Sequence, residues 1–285
     1  VNTGKTIGVD VGGTNIRAGV EITGSISQQR QALLKNKDSL SATLTQLKEF
    51  IQPLIDASVK GIGIGVPSVV DVEKGIVFNV ENIPSWERVP LKDILEEEFD
   101  LPVYINNDVN CFVLGEHQFG LARGFCSVVG LAAGTALGSG IIVNNHLYTG
   151  NNCGAGEIGL LPYLDHNIEY YASGNFFKAV HQTTAVEVHE LALKGDAHAL
   201  KLWEEFGKHM GQVIKIVMYT YDPEVIVIGG SVSKAFHLFD DAMYAALHDF
   251  NYPESIKRLK IFQSQNPNIA LLGAAALVEH SKKVA

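Results

Sequence analysis

Apolar residues alternate at Ile7, Val9 and Val11, and the alternation resumes at Ile16, Ala18 and Val20. A period of two marks strands with one face turned to a core. The break at Gly12-Gly13-Thr14-Asn15 predicts a tight hairpin. "NIRAGVEI" and "ISQQRQALL" continue the strand pattern. The period then changes. Leu40, Leu44, Leu47, Ile51, Leu54 and Ile55 fall on one face of a helix, and Ser39 is placed to cap it. "GIGIGV" (61–66) reads as a short buried strand and "LKDILEEEF" (91–99) as a short amphipathic helix. "LPVYINND" (101–108) is a strand running to a polar tip, where "VNCFVLGEHQFG" starts a helix.

The second part begins again with strands. "FCSVVGLAAGTALGSGIIVNNHLYTG" (125–150) has apolar runs broken by Gly-rich turns. A long helix is predicted over 197–220, with Leu202, Phe206, Met210, Val213 and Val217 on one face. "PEVIVIGGSVS" (223–233) is a strand ending in two glycines and a helix start, "RLKIFQS" is a further strand, and "IALLGAAALVEH" closes as a helix. Each half opens with a strand, a glycine turn and a second strand, followed by alternating helices and strands. That symmetry predicts two related α/β domains, each presenting a glycine turn to a common cleft. No period of 20–50 residues signals a solenoid.

Composition narrows the class. With 285 residues the chain has room for two domains with cores of their own, and 46% apolar against 19% charged residues is globular. No apolar run approaches the ~20 residues of a membrane span, and no signal peptide pattern is visible. Three cysteines with no CxxC pair do not read as a disulfide framework, so a reducing, cytoplasmic setting is expected. A net charge of −9 argues against nucleic acid as a partner. It leaves room for phosphates held by backbone N–H groups and Mg²⁺.

The candidate chemistry follows from the turns. Backbone N–H groups approach phosphate oxygens closely only where side chains are absent. Gly12, Gly13, Thr14 and Asn15 form one such turn, with Asp10 beside it placed to hold Mg²⁺ through water. Gly134 and Thr135 form a second, with the Thr135 hydroxyl as a donor. Gly229 and Gly230, between a strand and a helix, suit an adenine or ribose, though a plain strand-to-helix turn accounts for such a pair equally well. Asp108 stands at a strand end before a helix, where α/β sheets place chemistry, and where Asp is also a preferred helix cap. Glu157 in "GAGEIG" reads alone as a solvated loop carboxylate. Glu169 in "NIEYYASG" reads alone as a helix acid facing the dipole.

The motifs D-V-G-G-T-N-I-R-A-G-V, G-I-G-I-G-V-P, N-I-P-S-W, N-N-D-V-N, G-T-A-L-G-S-G-I-I, G-A-G-E-I-G and E-Y-Y-A-S-G, in this order, resemble the ROK family of bacterial sugar kinases and sugar-responsive repressors. The resemblance runs over essentially the whole chain. It implies an α/β chain of the actin/hexokinase-like ATPase fold, a duplicated RNase H-like architecture with two domains around a central cleft. The expected domains are a smaller one at 1–113, on which a C-terminal helix at about 270–285 packs, and a larger one at 114–269. The resemblance further implies an ATP- and Mg²⁺-dependent hexose kinase, glucokinase-like, acting at C6. Carried over residue by residue, Asp108 matches the catalytic base, and Asn107, Glu157 and Glu169 match sugar-hydroxyl ligands. Gly12, Gly13, Thr14, Gly134 and Thr135 match the phosphate turns, and Gly229 and Gly230 the adenosine site. Pro67, Ser68, Asn82 and Trp86 are placed near the sugar, Trp86 equally as core packing. A homodimer or higher homo-oligomer is implied.

The chain departs from the family at its zinc site. Leu160 stands where a zinc-binding, sugar-touching His belongs, and "LLPYLDHN" (160–167) replaces a three-cysteine loop. His166 alone remains, so no zinc is expected. Leucine cannot exchange hydrogen bonds with a sugar, so the preferred sugar is expected to differ at that end. N-acetylmannosamine, N-acetylglucosamine, fructose and allose are the alternatives to glucose. Repressors of the family carry a helix-turn-helix ahead of the hairpin. The hairpin here begins at about residue 7, which leaves no room for one, so an enzyme is expected over a regulator; Asp10 and Asp108 are both present, so nothing supports a dead sensor.

Overall fold

The computed structural model describes the backbone of residues 4–284 and the side chains of residues 4–280. The chain divides into two compact units, one of Val1–Arg123, Leu147–Ala155 and Asn266–Ala285, the other of Gly124–His146 and Gly156–Gln265.

The first unit runs β1 (Lys5–Val11), β2 (Asn15–Ile22), β3 (Ser25–Leu33), α1 (Leu40–Ile51), β4 (Val59–Val66), β5 (Val69–Asp71), β6 (Ile76–Phe78), β7 (Arg88–Val89), α2 (Leu91–Phe99), β8 (Val103–Asn107) and α3 (Asp108–Phe119). Its main sheet has the order β3-β2-β1-β4-β8. The hairpin of β1 and β2 and the pair of β2 and β3 are antiparallel, whereas β1, β4 and β8 run parallel. A small sheet, β5-β6-β7, stands apart. The chain continues through β9 (Val128–Ala133), β10 (Leu137–Val143), β11 (His146–Leu147), β12 (Pro162–Tyr163), β13 (His166–Asn167), α4 (Ile168–Ala172), α5 (Ala185–Leu193), α6 (Ala197–Tyr221), β14 (Val225–Gly229), α7 (Phe236–Ala245), α8 (Pro253–Arg258) and β15 (Lys260–Gln263). The second main sheet has the order β11-β10-β9-β14-β15, again an antiparallel hairpin joined to parallel strands. The last helix, α9 (Ile269–Val284), belongs to the first unit. Residue 285, where the expected closing helix ended, lies outside the described residues.

Gly8 in β1 and the alternating glycines of β4 have a packing cause. A Cβ at Gly8 would meet the Leu271 carbonyl oxygen at 2.1 Å, and one at Gly63 the Ala274 oxygen at 1.8 Å. The backbone of α9 therefore lies directly on this sheet face, while Ile7, Val9, Ile62 and Ile64 are fully buried on the other. The same helix meets α3 closely, since a Cβ at Gly273 would lie 1.7 Å from the Cys111 oxygen.

Helix α1 is capped as expected, Ser39 accepting from the Ala42 N–H at 3.3 Å. It ends at Ile51, earlier than the apolar spacing implied, because Pro53 falls in a 3₁₀ turn at Gln52–Leu54. Leu40 is exposed, and Thr43 and Phe50 are buried in its place. Helix α6 begins at its Asp196 cap and buries Leu202, Phe206, Met210, Val213 and Val217.

Candidate active site

In the first unit the predicted residues gather at the carboxyl ends of three neighbouring parallel strands. Asp10 pairs with Gly65 across β1 and β4, and Val66 pairs with Asn107 across β4 and β8. Open α/β sheets place ligands at such ends. A Cβ at Gly65 would lie 3.3 Å from the Asp108 Cα and 3.2 Å from the Cys111 Sγ. The Cys111 thiol is pushed well up, by its burial first and then by the charges of Asp108 and Asp10 and by Cys153. Both aspartates thus act on one spot.

Asp10 does not stand alone. Arg17, opposite it in the hairpin register, donates to Asp10 Oδ2 from Nη2 at 2.6 Å and from Nε at 3.1 Å. The Arg17 Nη1 donates to the Pro267 carbonyl at 3.1 Å. The turn that follows is closed by the Gly12 N–H donating to the Asn15 oxygen at 2.8 Å. Gly13 is required by a neighbour, because a Cβ there would meet the Asn82 Cβ at 2.5 Å. Lys37 Nζ donates to the Gly13 oxygen at 2.6 Å, and the exposed Thr14 accepts from the Leu34 N–H through its carbonyl at 2.9 Å.

The helix cap at α3 is Asn107, not Asp108. Asn107 Oδ1 accepts from the Val109 N–H at 2.8 Å and from the Asn110 N–H at 3.4 Å. Its Nδ2 donates to the Ser68 carbonyl at 3.3 Å, which leaves one N–H of the amide. Asp108 is the first residue of the helix, half-buried, with Oδ1 accepting from the Val109 N–H at 2.9 Å. Pro67 and Ser68 follow β4 directly, and the Ser68 hydroxyl donates to the Phe78 carbonyl. Trp86 is core, 1% exposed, with Nε1 donating to Thr43 Oγ1 at 2.8 Å; burial removes it from any ligand surface.

Beneath the Asn107–Asp108 tip lies a buried set that composition alone does not reveal. Asn106 Oδ1 accepts from Asn110 Nδ2 at 2.9 Å and from the Cys153 thiol at 3.1 Å. These groups fix the start of α3 from below.

The second unit brings two of the predicted glycine turns together. Gly134 and Thr135 join β9 to β10, and Gly229 pairs with Ala132 at the end of β14. Gly230 has φ +87°, and a Cβ there would meet the Ala133 oxygen at 2.2 Å. A Cβ at Gly134 would lie 3.9 Å from Ser231 Oγ. The turns are therefore adjacent, and only glycine fits the second.

The glycines around Glu157 are packed, not free. Gly156 has φ +96° and accepts from Ser139 Oγ at 2.6 Å through its carbonyl. A Cβ at Gly159 would meet the Leu137 oxygen at 2.2 Å. The loop therefore docks on β10, and Glu157 leaves from a fixed backbone with its side chain part solvated. Burial and then the neighbouring Glu169 push the Glu157 carboxyl above its usual range. Glu169 Oε2 accepts from the Leu137 N–H at 3.5 Å.

Where the resemblance would place a cysteine loop, β12 and β13 form a short hairpin. His166 stacks on Tyr170 with ring centroids 4.0 Å apart, and Tyr163 Oη and His209 Nδ1 lie 3.1 Å apart. Tyr171 stands edge-on to Tyr163 and donates its hydroxyl to Asp165. Leu160 is 59% exposed. Among the described residues no group of three or more His, Cys, Asp or Glu side chains is placed to hold a metal ion.

A family model described as ROK family matches residues 6–281. The chain belongs to the ROK family. It is 28% identical to a glucokinase of Thermotoga maritima over 96% of this chain and 97% of that protein. It is also 28% identical to a xylose repressor of Bacillus spizizenii, over 97% of this chain and 78% of the repressor. The structure matches a ROK family glucokinase from Streptomyces griseus solved with glucose and AMPPNP, with a TM-score of 0.81, 26% identity, and coverage of 96% of this chain and 99% of that one. The fold is the actin/hexokinase-like α/β fold of these sugar kinases.

Arg17, Asn106, Asn110 and Cys153 escaped the sequence reading as site residues. Three lie inside motifs quoted for the resemblance, where a hydrogen-bonding residue near a predicted ligand was the available signal. Cys153 carried none.

Proposed function

We propose that this ATP-dependent sugar kinase of the ROK family transfers the ATP γ-phosphate to a hexose hydroxyl, at C6, with Asp108 as general base. The carrying observation is the convergence at three strand ends: Asp10 beside a glycine turn, and Asp108 on a helix start fixed by Asn106, Asn107 and Asn110. A carboxylate held at a fixed tip is what a sugar hydroxyl needs to lose its proton as the phosphoryl group arrives. The remaining Asn107 N–H donates to a sugar oxygen, while Glu157 and Glu169 accept from sugar hydroxyls. The adjacent turns at Gly134-Thr135 and Gly229-Gly230 take the nucleotide, phosphates against backbone N–H groups.

Asp10 fits Mg²⁺ held through water. Its Oδ2 is already engaged by Arg17 at 2.6 Å, so direct metal ligation at that oxygen would compete with the guanidinium. When bound, Mg²⁺ supplies positive charge to the phosphate oxygens and takes few protein ligands, as this site offers.

Glucose is the first candidate sugar. Exposed Leu160 offers no hydrogen bond, so N-acetylmannosamine, N-acetylglucosamine, fructose and allose remain alternatives. Similarity to xylose repressors supports a second reading, a sugar-responsive protein without turnover. A coupled assay of ADP release, with Mg-ATP and each of these sugars, decides between them. Sugar-dependent release from one of them is expected; silence across the panel with AMPPNP still bound would favour the second reading.

A further inference from the structure

We propose that Ser173 is the positioning residue through which sugar binding and nucleotide binding are coupled in the second unit. The inference rests on the kinase reading. Ser173 follows α4 and is fully buried. Its Oγ lies 2.6 Å from the carbonyl oxygen of Glu169 and 2.9 Å from that of Thr135, 38 residues away in sequence. It also accepts from the Asn175 N–H at 3.1 Å. A hydroxyl carries one proton, so only one of the two carbonyls holds it at a time. One of those carbonyls belongs to the residue that presents the sugar carboxylate. The other belongs to the turn assigned to the nucleotide.

Two further contacts tie the same elements. The Gly174 N–H donates to the Gly134 oxygen at 2.7 Å, and a Cβ at Gly174 would come within 2.9 Å of that oxygen. The Leu137 N–H, just past the turn, donates to the Glu169 carboxylate at 3.5 Å. The turn is thus held at successive carbonyls by successive residues, and the carboxylate that meets sugar hydroxyls already touches the strand leaving the turn. When a sugar draws on Glu169, its bond to Leu137 and the placement of the Ser173 proton change together. A sub-ångström change at one ligand thereby reaches the other, because packed contacts of this kind switch between discrete arrangements.

Titration of the whole protein with Mg·AMPPNP tests this, done without sugar and with each of glucose, N-acetylmannosamine, N-acetylglucosamine, fructose and allose at saturation. In the parent, one of these sugars is expected to change the AMPPNP Kd by about fivefold or more, the usual scale of coupling between sites. In Ser173→Ala that ratio falls to within about twofold of unity, while sugar affinity without nucleotide changes less than the ratio does. A purely structural serine would lower Tm and leave the ratio intact. Ser173→Cys keeps nearly the same volume but replaces the hydroxyl with a weak donor, and is expected to lose coupling in the same way; it carries the test if Ser173→Ala does not fold. A folded variant that binds both ligands and keeps the parent ratio overturns the proposal, as does a parent that binds both ligands with no coupling to any of these sugars. A parent that binds neither ligand overturns the kinase reading itself, and the proposal with it.

Discussion

Glu157 shows how one residue reports its surroundings. Partial burial and the charge of Glu169 raise its pKa above the ordinary 4.5. In the proposed role the carboxylate accepts sugar hydroxyls above its pKa; below it, it carries a proton and loses that capacity. The acid limb of kcat/KM for the sugar is therefore expected above pH 4.5. Glu169→Gln removes the like charge, so the limb should move to lower pH even as overall activity drops. A limb that stays in place would separate Glu157 from sugar recognition. Asn107 carries a different lesson at this scale. It caps α3 and has one N–H left over, so a predicted ligand also fills the cap role that the sequence offered as an alternative reading of Asp108.

At the scale of elements, the contact of α9 with the first sheet is the tightest fit. Gly63→Ala would drive a Cβ against a helix carbonyl 1.8 Å away, backbone against backbone, so relief requires a helix shift. A loss of about 1–3 kcal/mol or more is expected, seen as a lower denaturation midpoint at unchanged slope; a variant as stable as the parent would contradict the packing. The hairpin that stands in for the cysteine loop leans on His209, whose pKa is lowered by burial first, then by His181, against an opposing pull from Glu205. Its unfolded value is 6.5. As pH falls below that value the unfolded chain takes the proton first, so stability is lost towards acid until the folded pKa is passed. His209→Gln should flatten this component of denaturation midpoints between pH 7 and 5; an unchanged slope would show that His209 titrates normally. The elements read well from sequence were those with a sustained period: the β1–β2 hairpin, α6, β14. β5, β6 and β7 escaped because strands of two or three residues carry no period. The glycine turns were legible because glycine marks a backbone demand. The tie from Ser173 to the turn was not, because the Thr135 carbonyl lies 38 residues away and a carbonyl leaves no trace in residue type.

For the whole molecule, two units with the same sheet plan each hold part of the predicted set, with Asp10, Asn107 and Asp108 on one and Gly134, Glu157, Glu169 and Gly229 on the other. The family's span of kinases and repressors makes turnover the deciding property. Asp108→Asn is nearly isosteric and keeps a side-chain oxygen to accept the Val109 N–H, so fold and sugar binding should survive. The first measurement is single-turnover and steady-state ADP release for Asp108→Asn against the parent, with the sugar of the panel that the parent uses. Loss of a general base predicts a fall in kcat of about 10²–10⁴-fold with sugar Kd nearly unchanged. Equal turnover in the two proteins would contradict the assignment of Asp108 as the base.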